Sequence, residues 1–265
     1  MTSPGAAARR FHDATIHTPA SVRTSAHTLD WDVKPFPFKV YPDLAPEALP
    51  REIDPLAVPA LEALADPGRP GAPRLTLAAL AALLYYAAGV TKKQTYPGGG
   101  QVLFRAAAST GALYQTEVYV VAGEVEGLAP GVWHFGPGDF ALRRLRAGDA
   151  RGALAQAAAD AGVARSAATL VLTAIWWRNT WKYRERGFRH LFWDSGTMLA
   201  NVLAAGGALG LAPRVLTGFV DADVNRLLDL DAAREGALEL VTVGPETPPA
   251  PPPAAAPSLG SFISS

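Results

Sequence analysis

ATLVLTAIWWRNTWKYRERGFRHLFWDSG, residues 168–196, is the stretch whose reading decides the fold. Its first part, ATLVLTAIW (168–176), is a continuous apolar run of strand length, which predicts a strand deep in a sheet covered on both faces. A helix carrying Lys182 and Tyr183 follows, then a long helix from Phe188 to Leu209. Downstream, RVLTGFV (214–220) predicts a strand, DADVNRLLDL (221–230) a helix and ALELVTV (237–243) a strand. Upstream, Thr76 can cap a helix in which Leu77, Leu80, Leu83 and Leu84 recur at helical spacing, with Gly89 as its stop. EVYVVA (117–122) reads as a strand, and GVWHF (131–135) with FALRRL (140–145) as a hairpin. Gly98–Gly100 form a loop, and Asp149 opens an alanine-rich helix ending near Gly162. Interleaved helices and strands predict an α+β class.

With 265 residues the chain can bury one sizeable core, and 49% apolar with 18% charged residues is a globular composition. Residues 75–244 are expected to form the domain. Residues 1–74, rich in proline and small residues, read as an extended arm whose Trp31, Phe36, Phe38 and Tyr41 need a surface to cover them. Residues 245–265 contain ETPPAPPPAAAP and read as a polyproline-like or disordered tail. Lys plus Arg equals Asp plus Glu at 24 each, which removes any global electrostatic argument for nucleic acid or an acidic membrane. A small neutral substrate fits better.

The chain has no cysteine, which excludes disulfides, thiolate nucleophiles and cysteine metal sites. MTSPGAAARRFHDATIH lacks the apolar core of a signal peptide, so a cytoplasmic location is expected. The apolar stretches 75–91 and 195–212 are too short or too broken by Gly89, Asn201, Gly206, Gly207 and Gly210 to span a membrane. Serine-hydrolase, zinc-protease, P-loop and standard dinucleotide-binding signatures are all missing. Of the histidines, His12, His17 and His27 lie in the arm at irregular spacing, leaving His134 and His190.

Lys182 and Tyr183 are two proton-transfer groups of high intrinsic pKa amid aromatic and cationic neighbours. Two readings stand. Either the pair is a proton-transfer site, or it begins an amphipathic helix whose arginines are solvated and whose Trp176, Trp177, Trp181, Phe188, Phe192 and Trp193 fill a core.

Three separated segments, RAAASTGALYQTEVYVV (105–121), the Lys182-Tyr183 segment and GGALGLAPRVLTGF (206–219), resemble in order and spacing the nitroreductase-like flavoenzymes, and within them the SagB-type dehydrogenases of azole-forming peptide biosynthesis. The resemblance covers roughly residues 75–244 and implies a three-layer fold with FMN at a dimer interface. It implies flavin-contacting roles for Arg105, Ser109, Gly111, Ala112 and Leu113, and for Gly210 and Leu211 at a second turn. Lys182 and Tyr183 match the family's catalytic pair, and Asp194 with Gly196 its D-x-G, where Asp194 reads as a helix-turn cap. A self-paired dimer, or a pair with another nitroreductase-like chain, is implied in turn, as is a modified-peptide or small-molecule substrate.

The chain departs from that pattern around the cofactor phosphate. The usual R-R-S-x-R cluster is replaced by ADPGRPGAPRL with Arg69 and Arg74, Ala108 replaces the motif proline, and Ala212 the last glycine of G-L-G. Lys92, Lys93, Arg105 and Arg214 are the candidate substitutes. A flavin-poor subunit supporting a second nitroreductase-like chain is therefore the alternative to an FMN oxidoreductase.

Overall fold

The computed structural model describes residues 5–66, 74–97 and 100–251. Its centre is a seven-stranded sheet made of β1 (Pro46–Ala48), β4 (Thr116–Ala122), β5 (Gly131–Gly136), β6 (Ala141–Ala147), β7 (Ser166–Ile175), β8 (Arg214–Leu216) and β9 (Glu235–Glu246). The strand order is β1-β6-β5-β4-β7-β9-β8, with every neighbouring pair antiparallel. A separate hairpin joins β2 (Val90–Thr95) to β3 (Gln101–Arg105). Gly98 and Gly99 of the expected Gly98–Gly100 loop lie outside the described residues.

Helices cover both sheet faces. On one, α4 (Leu77–Ala88) and α8 (Gly187–Ala208) join Val118, Val120, Leu170, Leu172, Val241 and Val243 in a single core. On the other, α5 (Arg151–Ala158), α6 (Ala161–Arg165) and α9 (Asp221–Leu227) pack on Tyr119, Val121, Val171 and Leu240. Alternate residues of one strand thus feed two cores, which is why β7 reads as an unbroken apolar run. The result is the expected three-layer α+β fold. No helix among the described residues is long and apolar enough to cross a membrane.

Local chemistry sets the boundaries of the elements that carry the site. Thr76 Oγ1 accepts from Ala79 N at 3.1 Å and caps α4 as expected. Gly89 ends it in extended backbone, and a Cβ there would lie 2.7 Å from Tyr85 O, so only glycine lets the chain turn this closely. α7 (Trp176–Tyr183) stops at Arg184, whose φ is 52°, and α8 starts three residues later.

Several expectations are corrected. The first 74 residues are not simply extended, since they contain α1 (Ala6–Thr15), α2 (Pro19–Arg23), α3 (Ala60–Ala65) and the edge strand β1. Thr18 and Ser21 close a capping box around Pro19, a local signal strong enough to make a single turn of helix. Only part of the arm's aromatic surface is covered, because Trp31 and Phe36 stay 64% and 65% exposed. The expected strand 214–220 shortens to β8, and the helix from Asp149 breaks at Ala159 into α5 and α6. The start of the tail is ordered: Thr247 N donates to Arg165 O at 2.7 Å and Ala250 N to Ala164 O at 2.9 Å. The rest of the tail, beyond residue 251, lies outside the described residues.

Candidate functional site

The loop between β3 and β4 meets α7 and the first turns of α8 at one end of the sheet. Three of its residues adopt left-handed backbone, Gly111 at φ 69°, Ala112 at 53° and Tyr114 at 51°. For residues bearing a Cβ this conformation is costly, so the loop needs outside support. Asp194 supplies it. Its carboxylate accepts from Ser109 Oγ at 2.8 Å, Thr110 N at 2.6 Å, Thr110 Oγ1 at 2.7 Å and Gln115 Nε2 at 2.6 Å. On α8 it shares the inward stripe of Leu191, Met198 and Val202, so the helix carries a charge into the interior, where loop donors replace water. Asp194 is therefore not a cap on its own helix turn but the anchor of a loop some eighty residues away in sequence.

Lys182 and Tyr183 end α7 beside this loop. A Cβ built on Gly111 would meet Tyr183 Oη at 2.7 Å and Lys182 Nζ at 3.4 Å, so the glycine and the pair share one cradle. Lys182 Nζ lies 5.5 Å from the Tyr183 ring centre, and that ring stands edge-on to His190 at 4.6 Å. Burial, and then the charge of Asp194, push the Tyr183 phenol above its ordinary value, so it holds its proton at neutral pH. The surrounding aromatics do not form the core the alternative reading requires. Trp181 is buried, whereas Trp177, Phe188, Phe192 and Trp193 are about half exposed.

The other expected cofactor residues are placed unevenly. Ser109 braces the loop, donating to Asp194 and accepting from Tyr114 N at 2.9 Å. Ala112 lies beside Gly111, and Leu113 is buried. Arg105 turns inward, donates to Pro37 O at 2.5 Å and packs between the rings of Phe38 and Tyr114. Burial lowers it to about 10 although Glu117 opposes the shift. Gly210 and Leu211 are elsewhere: Gly244 N donates to Leu211 O at 2.8 Å, and Gly244 packs on Leu75 at the start of α4. The Asp194 crevice instead adjoins Ala88, at the far end of α4. The span of α8 from Asp194 to Ala208 corresponds to about 21 Å of helix, so one chain does not bring the two segments together.

These residues suit the edge of a flat ring, because the pair closes on Gly111 where no Cβ intervenes and brings Lys182 Nζ and Tyr183 Oη together there. They do not enclose one: the crevice among Arg105, Ser109, Thr116, Asp194 and Met198 measures ≈ 10 Å³, about one water. For a phosphate, Arg105 is committed inward and Arg214 is paired with Asp160 at 2.7 Å, while Lys92 and Lys93 are exposed on β2. Arg69 lies outside the described residues. Among the described residues no cluster of His, Asp and Glu could hold a metal ion.

Under the loop lies a buried charge network that sequence reading missed. Arg178 donates to Tyr114 O at 2.9 Å and pairs with Glu117, whose other oxygen meets His134 Nε2 at 2.9 Å. Burial works against the Glu117 carboxylate, yet Arg178, His134 and Arg105 outweigh it and hold its pKa at about 2. A depressed carboxyl contributes stability fully above its unfolded value near 4.5 and loses it as pH falls toward 2. Thermal melts of the wild type should therefore fall steeply across that acid window. Glu117→Gln should flatten the acid limb and cost about 3 kcal/mol at neutral pH; an unchanged acid limb would remove Glu117 as its cause.

An antiparallel sheet between two helical layers, with Lys182 and Tyr183 meeting Gly111 at one end, defines the α+β class of the protein. The sequence profile of the Nitroreductase family matches residues 72–244, and the chain belongs to that family. It is 30% identical over 171 residues to a protein of Methanocaldococcus jannaschii named as nitroreductase MJ1384, a match covering 64% of this chain and 81% of that one. It is 30% identical over 175 residues to the trifolitoxin-processing protein TfxB of Rhizobium leguminosarum bv. trifolii, covering 64% and 47%. A crystal structure assigned as a nitroreductase from Anabaena variabilis superposes with a TM-score of 0.76 at 26% identity, covering 89% of this chain and 45% of that one. The chain thus spans about half the length of the last two proteins.

Proposed function

We propose that the protein is an FMN-dependent dehydrogenase of the SagB type, oxidising azoline-type heterocycles in a modified peptide or small molecule. The observation that carries this reading is the convergence of Lys182 and Tyr183 on the Gly111 cradle. Converting an azoline to an azole removes a proton from carbon and a hydride, and bound FMN would supply the hydride acceptor. Lys182 takes the proton as general base. Tyr183, keeping its own proton, orients the reacting group by hydrogen bonding. Asp194 holds the loop in shape through its four bonds, and the buried Trp181, tied to Asp30 O at 2.8 Å, fixes the end of α7 that carries the pair. The name of the Rhizobium relative, a toxin-processing protein, supports a processing role.

The cofactor lies at a two-fold interface in this reading, with the Gly210-Leu211 turn of one chain serving the Ser109–Leu113 loop of the other. The length of α8 between the two segments supports that arrangement, as does the half-length match to longer relatives. Purified protein, alone or with a second nitroreductase-like chain, should carry non-covalent FMN and sediment as a dimer at micromolar concentration. Full FMN occupancy in a strict monomer would contradict the shared site. The inward commitment of Arg105 favours a second reading, a flavin-poor subunit that supports another chain. A colourless protein that shows no calorimetric response to FMN in either preparation would establish it.

A further inference from the structure

One hydrogen-bond chain runs from Asp194 toward Tyr183, and its polarity can be read link by link. An ionised carboxylate only accepts, so Gln115 must present Nε2 to Asp194; the same nitrogen lies 3.3 Å from His190 O, also an acceptor. Reversing this amide would set an oxygen against two acceptors. Gln115 Oε1 therefore faces Asn179 at 3.2 Å, which must be the Asn179 Nδ2 donor. Asn179 Oδ1 is left facing His190 Nδ1 at 2.8 Å, and that contact requires a proton on Nδ1. Four side chains hand on a single orientation.

We propose that His190 is a positioning residue for Tyr183, locked by this chain as the neutral Nδ1–H tautomer with a lone pair on Nε2. This inference rests on the orienting, hydrogen-bond-donating role assigned above to Tyr183. The locked tautomer is the reverse of the one that predominates in a free histidine side chain, so the chain must impose it. Its effect is electrostatic. The His190 ring stands at 87° to the Tyr183 ring, and an imidazolium there would stabilise the phenolate and loosen the proton that Tyr183 needs to keep. The surroundings favour the neutral ring: burial first, and then the charges of Arg186, His17 and Arg189, outweigh the opposing charge of Asp194 and push the His190 pKa down.

The test uses the full chain labelled with ¹⁵N-histidine, the His190 signals being assigned by their loss in His190→Gln. At pH 7 the protonated ring nitrogen should be Nδ1; an Nε2–H tautomer or an imidazolium overturns the proposal. Asn179→Asp places a carboxylate against Nδ1 and should raise the His190 titration midpoint by about one pH unit or more. In that variant the ¹³Cζ signal of Tyr183, assigned by its loss in Tyr183→Phe, should shift with the His190 titration midpoint near neutral pH, where the imidazolium forms and the phenol keeps its proton. A Tyr183 signal that ignores the His190 titration also overturns it, because a merely structural histidine would give that result. Neither readout needs flavin or substrate, so a colourless protein would sink the FMN reading while leaving this test intact.

Discussion

Lys182→Ala should lower turnover of an azoline-containing peptide by about 10²–10⁴-fold, the range general bases supply, with melting temperature and flavin content nearly unchanged. The reasoning is that a base acts in the transition state, whereas the fold and the cradle depend on other groups. Lys182 is half-buried at the end of α7, and its truncation opens no core cavity. Tyr183→Phe should cost less, because the ring still packs on His190 and only the hydroxyl is lost. A solvated helix-end lysine predicts the opposite pattern, a small change in stability and none in chemistry. Wild-type turnover in Lys182→Ala, measured on the same samples as flavin stoichiometry and melting temperature, would end the catalytic assignment.

Asp194→Ala should be the most damaging single change to the site's structure. It strips the acceptor from Ser109, Thr110 and Gln115 together and leaves their donors buried beside three left-handed residues. Hydrogen bonds to a charged partner are each worth about 1.5–3 kcal/mol, and they are not additive, so a total loss of roughly 3–5 kcal/mol is expected. Calorimetry should show a fall of roughly 6–15 °C in melting temperature, with cofactor binding lost. Asp194→Asn should recover part of the stability, since one amide oxygen can still accept, but its NH₂ group faces donors. A shift under 2 °C in Asp194→Ala would mean that the loop holds its shape without the carboxylate.

The sequence carried the domain's frame because its long elements bury whole faces. α4, β4, β7 and α8 announce themselves by apolar period or by unbroken apolar runs, and those patterns survive folding. The β2–β3 hairpin stayed hidden because VTKKQT is mostly exposed and shows no apolar alternation. α1 stayed hidden because a short polar helix leans on tertiary contacts, here Phe11 against Phe188 and Arg189 Nε donating to Thr15 Oγ1. Within the site, the dipeptide Lys182-Tyr183 and the glycine Gly111 could each be read, but not that the fold sets them against one another. Asp194 left one trace, an acid on the stripe of Leu191, Met198 and Val202. Its partners at Ser109 and Thr110 are joined to it only by the fold.

The length of α8 also makes a genetic statement. If the Gly210 turn serves the neighbouring chain, two defective subunits can repair one another. A Lys182→Ala chain still offers a sound turn, and a Gly210→Asn chain, whose asparagine tolerates the left-handed φ of 68°, still offers a sound base. Each variant alone would be inactive. Subunits re-paired at random from an equal mixture would put about half of the dimers in the mixed form, each with one of its two sites intact, and so recover about a quarter of wild-type activity. Such intersubunit complementation is open only to an enzyme whose site is divided between two chains, and recovery of activity on mixing would trace that division to the length of α8.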